Sequence, residues 1–442
     1  MNRPIFTSLS PNTQKDDILL ALKLILQPQK WKVKSQNSKV KNFEDEFKNY
    51  LGVKHAIAFN SGRSAFLAIL NTLNLKKESE VLLQAFTCNA AVNPILWSSL
   101  KPVFVDIEKE TLNIDPADLE RKITPKSKVV LVQHTFGLPA NLDEILKICE
   151  KYNLILIEDC AHSLGAEYKG RKVGTFGKAA FFSFGRDKVI SSIYGGMAVT
   201  NDDVLAQKIR DFQEKLSFPS NFWIFQQLLH PLLTNYLIIP LYAFSFQFGR
   251  LILGAFHKLK ILSKAVQKRE KEGKKPKYIP KRMPNALAML ALNQFKKLEK
   301  FISHQREIAK FYDKSLSAAA PAARQPLFRP GRIYMRYSLL IENQNPDKIL
   351  KKARRQKIFL DDGWRKTPIV PPDTNQAKMG YVLGSCPQAE KVAKHILNLP
   401  THINVSKKDA QKITKFLKSR IFHDRRNCGI NGIEEQNMKS RI

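Results

Sequence analysis

Lys188 stands where few solvent-facing lysines do, between the apolar runs 179–184 and 196–200 and just ahead of the Gly195-Gly196 turn. A lysine used for Schiff-base chemistry needs partial burial, so that its amine can present a lone pair to a carbonyl. Ser183 and Arg186, shortly before it, are of the types that contact a phosphate. Most lone lysines are solvated surface charges, and this one gains meaning only beside two other pieces of sequence. The aliphatic run 154–157 ends in Glu158-Asp159, with Ala161-His162-Ser163 just beyond. An acid there caps the next helix, or it holds a positively charged heteroaromatic nitrogen, as an aspartate does for the pyridinium of pyridoxal phosphate. Asn60-Ser61-Gly62-Arg63-Ser64 carries a strand through a glycine turn into a helix N-terminus. Free N–H groups and the helix dipole make such a start an anion site, to which Ser61 and Ser64 add hydroxyls. A capped helix start with no ligand fits the same residues.

These pieces need a scaffold. Seven strand-like runs, 55–60, 81–86, 102–106, 129–134, 154–158, 179–184 and 196–200, alternate with helix-like segments such as 64–73 and 141–151. The lengths suit βαβ crossovers, so an α/β fold with a mostly parallel, doubly wound seven-stranded sheet flanked by helices is expected. Chemistry in such sheets gathers at the carboxyl ends of the strands, where all three motifs fall. Residues 1–215 are assigned to this large domain. Residues 216–282 read as an apolar and basic helical insertion: 216–249 hold no Lys, Arg, Asp or Glu, while 258–282 are rich in Lys and Arg. Residues 283–420 read as a smaller α+β C-terminal domain, with a long helix over 285–316, strands at 334–342 and 358–361, and helices at 387–396 and 407–418. The polar tail, 421–442, reads as disordered.

Composition narrows the partners. A chain of 442 residues with 43% hydrophobic and 25% charged residues is an ordinary globular protein of two domains. Its net charge of +34 favours anionic partners. The basic residues are spread along the chain with no nucleic-acid motif behind them, so nucleic acid ranks last. Five cysteines (Cys88, Cys149, Cys160, Cys386, Cys428) show no CxxC spacing and no paired histidines, which argues against a disulfide framework and a zinc site. Residues 1–17 lack the apolar core of a signal peptide, and a cytoplasmic location follows as the default.

The runs 43–62 (FEDEFKNYLGVKHAIAFNSG), 102–115 (PVFVDIEKETLNID), 157–174 (IEDCAHSLGAEYKGRKVG) and 183–202, then 283–316 with Gln294 and Arg306, and 386–401 (CPQAEKVAKHILNLPT) together resemble the DegT/StrS-type sugar aminotransferases. These are fold-type-I pyridoxal-phosphate enzymes, and the resemblance covers most of 42–418 apart from the insertion. It implies that Lys188 carries pyridoxal phosphate as a Schiff base and, when freed, acts as general base at the donor's α-carbon. Asp159 would pair with the pyridinium, His162 would lie beside the ring or its hydroxyl, and Gly62, Arg63, Ser64 and Ser183 would cradle the phosphate. The implied reaction moves an amino group from an amino acid, usually glutamate, to a nucleotide-linked keto sugar for polysaccharide or glycoconjugate synthesis, in a homodimer. Three positions depart from the pattern. Cys88 stands where relatives place an aromatic ring against the cofactor, so a smaller contact is expected there. Arg63 replaces a small hydroxyl residue. Arg210-Asp211-Phe212-Gln213 replaces a stretch that reaches the partner's cofactor. Gly363-Trp364 is placed on the substrate side. A second reading is a non-catalytic, membrane-associated sensor or scaffold that keeps the fold. A dehydratase branch of the family replaces the lysine with histidine, and Lys188 speaks against it.

Residues 222–264 have no counterpart in the soluble relatives. As a helix, 222–239 gathers Gln226, Gln227, His230, Thr234 and Asn235 on one side. Residues 242–264 set Gln247, Arg250, His257, Lys258 and Lys264 on one face, and Phe244, Phe248, Leu251, Ile252, Ala255, Phe256, Leu259 and Leu262 on the other. A basic amphipathic helix with aromatics suits the plane of an anionic membrane surface. Prolines and amides interrupt the run of about 20 apolar residues that spanning needs. A helical pair packed on protein would show the same pattern.

Overall fold

The seven aliphatic runs form one sheet because each has apolar side chains to cover on both faces. In chain order they are β1 (His55–Phe59), β2 (Glu80–Gln84), β3 (Lys101–Val105), β4 (Ser127–Gln133), β5 (Ile155–Asp159), β6 (Ala179–Ser183) and β7 (Gly196–Thr200). The computed structural model describes residues 3–30, 38–317, 330–342 and 344–421, so the expected tail lies outside the described residues from 422 onward. The spatial order is β1-β7-β6-β5-β4-β2-β3. Neighbours run parallel except around β7, which opposes both β1 and β6. Successive strand residues point to opposite faces. Val81, Leu83, Val129 and Leu131 therefore join the core on one side, and Leu82, Val130 and Val132 the core on the other. Helices α1 (Lys15–Leu26), α2 (Ser38–Leu51), α3 (Gly62–Thr72) and α4 (Asn89–Trp97) cover the first face, and α5 (Leu142–Lys151) helps cover the second. This is the doubly wound architecture that the alternation of runs predicts.

Helix α6 (Asp203–Glu214) follows β7 and turns two of its polar residues, Arg210 and Gln213, toward the protein. Arg210 Nη2 donates to Glu44 Oε2 at 3.0 Å, and Gln213 Nε2 donates to the Ala58 carbonyl at 2.6 Å. Both side chains are thereby engaged within their own chain.

The insertion is helical but not the two long helices expected. It forms α7 (Asn221–Leu233), a π-turn (Thr234–Ile238), α8 (Ile239–Phe244) and α9 (Phe246–Lys258). Pro240 has no N–H to give the preceding turn, and the backbone widens just before it. Extended backbone at Ser245 separates α8 from α9. The polar side of α7 faces the protein: Gln226, Gln227, His230 and Thr234 are buried. They go inward because irregular backbone waits for them there; Gln226 Nε2, for example, donates to the Lys260 carbonyl. Phe222, Tyr236, Leu237, Phe244, Phe248, Leu251 and Leu259 are left exposed, as are Leu19, Leu22 and Leu26 on α1, which packs against α7. Leu262, expected on the same apolar face, is instead buried with Ile238, Tyr242 and Phe359, and Phe256 packs against that group.

The expected helix over 285–316 is two, α10 (Asn285–Phe295) and α11 (Leu298–Ser317). Beyond them, β8 (Tyr337–Leu340) pairs antiparallel with β9 (Ile396–Leu399), a strand the sequence reading did not pick out. Helix α11, with α12 (Pro346–Arg355) and α14 (Lys407–Ile421), packs on this pair, while α13 (Pro387–His395) joins the main core. The expected strand 358–361 is reduced to Ile358–Phe359 and pairs with Ile5–Phe6 from the other end of the chain.

One contact ties the sheet to the turn above it. A Cβ on Gly196 would stand 2.3 Å from the Gly62 nitrogen and the Ser61 carbonyl carbon, with backbone on that side that cannot yield. Gly196→Ala is therefore expected to lower unfolding free energy in urea by about 1–3 kcal/mol. Gly254→Ala, a helical position with open space at Cβ, is expected to match the wild type or gain up to about 1 kcal/mol.

Candidate active site

Strand register sets the floor of the site. Gln133 and Asp159, the last residues of β4 and β5, stand level with each other and with Phe181 in the middle of β6. Above them lies a cleft of about 330 Å³ lined by Gly62, Arg63, Cys88, Asp159, His162, Ser183 and Lys188, among others. Gly363 and Trp364, from the later part of the chain, close one side. Ser64, expected among the phosphate ligands, is not on this wall. Its hydroxyl donates to Asn60 Oδ1 at 2.7 Å, and its N–H donates to Ser61 Oγ at 3.1 Å. Ser64 therefore belongs to the helix cap.

Asp159 is 6% exposed, and its Oδ1 accepts the Ala161 N–H at 2.9 Å. Burial pushes its carboxyl up to about 6, against the Ala161 N–H and the Lys188 charge, which favour ionisation. Glu158, its neighbour, points the other way into a closed set of donors. Gly174, Phe176 and Gly177 give it backbone N–H bonds of 2.7, 2.7 and 2.9 Å. His134 Nδ1 accepts the Ala140 N–H at 3.2 Å, so its Nε2 carries a proton and donates to Glu158 at 3.1 Å. Burial raises the Glu158 carboxyl, but His134 and these N–H groups outweigh it and hold it below the usual range. The end of β5 is anchored by this cluster.

The Lys188 side chain is 16% exposed, with Nζ 3.7 Å from Asp187 Oδ1. Burial raises the Asp187 carboxyl, but Lys188, Arg336 and His162 hold it well below the carboxylate range. Arg336, just before β8, donates to Asp187 Oδ2 at 2.8 Å and pairs with Asp362 at 3.0 Å. His162 is kept neutral by burial and by the charges of Lys188 and Arg336. Its ring lies 5.4 Å from that of Phe136 and 4.8 Å from that of Trp364. Its Nδ1 is buried and has no partner. Cys88 accepts the Ala90 N–H through Sγ at 3.5 Å as the cap of α4, and burial raises its thiol. It lines the cleft as a small, uncharged wall.

At the other end of the cleft the first turn of α3 meets the end of β6. A Cβ on Gly62 would stand 2.9 Å from the Ser183 Cβ, so only glycine lets the two backbones form this cup. Arg63 lines the cup but does not offer it a free charge. Its guanidinium donates to the buried Glu270 and to the Ala265 carbonyl. An unpartnered imidazole nitrogen, a buried carboxylate, an amine and a helix N-terminus thus share one cleft, and together they fit pyridoxal phosphate. Sequence reasoning overlooked Gln133, Tyr194, Asp187 and Glu270. Gln133 carried a signal, being a polar residue that closes an aliphatic strand as Asp159 does. Nothing local to Tyr194 or Glu270 distinguishes them.

Asp159 yields a test of this electrostatic reading. Its carboxyl is raised from 3.8 to about 6, so it favours folding below pH 4, and that contribution is lost as pH rises through 6. Cofactor-free Asp159→Asn is expected to be more stable than the wild type at pH 8, by up to roughly 3 kcal/mol. The advantage should vanish near pH 4. Thermal melts across that range check it.

Comparison with known proteins agrees with this geometry. Residues 12–221 and 257–418 match the DegT/DnrJ/EryC1/StrS aminotransferase family, and the gap between them falls on the insertion. The GDP-perosamine synthase of Caulobacter vibrioides is 27% identical over 376 residues, 84% of this chain and 87% of that protein. A spore coat polysaccharide biosynthesis protein of Bacillus subtilis is 39% identical over 176 residues, 40% of this chain and 45% of that protein. The chain spans about half the length of several curated relatives that it matches. The fold is shared with an aminotransferase of Helicobacter pylori involved in pseudoaminic acid biosynthesis: TM-score 0.71 at 22% identity, over 96% of this chain and all of that one. Matched through the whole sheet, the cleft residues and the C-terminal helices, this chain belongs to the DegT/DnrJ/EryC1/StrS aminotransferase family.

Proposed function

We propose that the protein is a pyridoxal-phosphate-dependent aminotransferase that moves an amino group from an amino acid, glutamate foremost, to a nucleotide-linked keto sugar for polysaccharide or glycoconjugate synthesis. The observation that carries this reading is the meeting of Lys188, Asp159 and His162 in one cleft whose far end is the Gly62–Ser183 cup. The names of the Caulobacter and Bacillus relatives support the sugar and polysaccharide part. Pyridoxal phosphate, when bound, supplies an electron sink for charge developing at the donor's α-carbon. Lys188 holds the cofactor and moves the proton at that carbon. Asp159 keeps the ring nitrogen protonated, and neutral His162 offers its free Nδ1 to the ring side. Gly62 and Ser183 hold the phosphate. Trp364, backed by Phe136, walls the cleft.

Purified protein is expected to take up pyridoxal phosphate with the absorption of a protonated Schiff base and to lose that band with glutamate. Lys188→Ala should lack it. A wild-type chain that takes up no cofactor would defeat the enzyme reading and leave the scaffold one.

The proposal includes a cytoplasmic homodimer, as the family resemblance implies. Arg210 and Gln213 are engaged on Glu44 and Ala58 of their own chain, so a contact with the partner's cofactor would come from other residues. It also includes peripheral contact with an anionic membrane. Among the described residues no helix is long and apolar enough to cross one. Support for surface contact comes from the exposed Phe244, Phe248, Leu251 and Leu259 beside the exposed Arg250, Lys258 and Lys260. The wild type is expected to sediment with anionic vesicles at low salt and less with neutral ones, and Phe248→Glu/Leu251→Glu to stay in solution. Equal recovery of wild type and variant in the supernatant would sink the membrane part.

A further inference from the structure

The insertion re-enters the cleft. Ala265 and Val266 line it, and the Tyr194 hydroxyl donates to the Lys264 carbonyl at 2.5 Å. Two arginines face this segment, and they differ in what they have left to offer. Arg63 commits its guanidinium to Glu270 and the Ala265 carbonyl. Arg186 donates through Nη2 to Ser263 Oγ at 2.6 Å, while its buried Nε has no partner among the described residues. Among the described residues Arg186 makes no salt bridge, unlike Arg63. Its guanidinium lies 5.6 Å from the centre of the Tyr194 ring, on the cleft wall.

The bond to Ser263 has a fixed sense. Ser263 accepts from Arg186 while its own proton goes to Gln227 Oε1 at 2.9 Å. Gln227, fully buried on α7, is oriented in turn by donating to the Trp223 carbonyl at 2.8 Å. A single run of hydrogen bonds therefore leads from the first helix of the insertion to a cation at the cleft, beside the cup of Gly62 and Ser183.

We propose that Arg186 is the arginine that takes the cofactor's phosphate, and that Ser263 and Gln227 of the insertion are its positioning residues. The proposal rests on the pyridoxal-phosphate reading above. A guanidinium with an unpartnered Nε and a fixed Nη2 presents its remaining N–H groups to a phosphate in one orientation, without first reordering a long side chain. Removing the serine hydroxyl frees that side chain and leaves the rest of the cleft intact.

Absorbance titration with pyridoxal phosphate and with pyridoxal, which has the same aldehyde and ring but no phosphate, separates the roles. Ser263→Ala and Gln227→Leu are each expected to weaken pyridoxal phosphate by about 5-fold, and Arg186→Gln by at least about 10-fold. Pyridoxal binding should be unchanged in all three, and Ser263→Thr, which keeps the hydroxyl, should restore the wild-type ratio. Equal weakening of both ligands would mean a merely structural role and overturn the proposal, as would unchanged phosphate preference in the serine and glutamine variants. Ser263 lies outside any helix or strand, so its variant is the milder one should Gln227→Leu fold poorly. A wild type that binds neither ligand would instead overturn the cofactor reading itself, and this proposal with it.

Discussion

Asp159 sits at 6% exposure at the end of an aliphatic strand, where water solvates a charge poorly. A carboxylate in that position is costly to ionise, and it must be ionised to hold a protonated ring nitrogen. The surrounding fold is arranged around that conflict. Glu158, one residue earlier, points to the opposite side and is locked by three backbone N–H groups and His134. The strand end cannot rotate to let Asp159 escape toward solvent. Lys188 and the Ala161 N–H lower the cost without removing it, and a cationic ring would supply what remains. The cleft and the buried acid at the end of β5 are complementary to a charge that arrives with the ligand.

Much of this is legible in the chain, for reasons that differ by element. The seven strands are visible because a sheet covered on both faces demands continuous aliphatic runs. Asp159 stands out because it closes such a run, and Gly62 and Lys188 because each follows one within a few residues. A serine three residues after an N-cap serves a phosphate or the cap equally well by type, and the 2.7 Å bond of Ser64 to Asn60 is not visible in the sequence. The Arg63 partner Glu270 lies 207 positions away, and no local pattern announces it. Strand β9 was lost inside the run that follows α13, where helix gives way to strand with no intervening turn.

The insertion shows how amphipathic patterns mislead. Gln226, Gln227 and His230 share one side of α7, the side that amphipathicity alone would turn to water, since amides and imidazoles prefer water to hydrocarbon. They turn inward because the loop from Lys260 to Ser263 has carbonyls and a hydroxyl that no regular element satisfies, and buried polar groups must be paired. The aromatic side is displaced outward as a result. Polarity thus told which residues share a face, and not which way the face looks. The same inversion exposes Phe222 and Tyr236.

The pairing of Ile5–Phe6 with Ile358–Phe359 also has a bearing on how the protein is made. The group around Ile238, Tyr242, Leu262 and Phe359, against which Phe6 and Leu9 pack, gathers the beginning, the middle and the later part of the chain. A ribosome adding about 5–20 residues per second needs roughly 20–70 s between the two strands of that pair. Throughout that interval the first strand has no mate, and for the earlier part of it, until about Leu233 is made, α1 has no α7 beside it. The nascent chain therefore carries an unpaired apolar segment until Phe359 has emerged, a natural client for a holding chaperone at the exit tunnel.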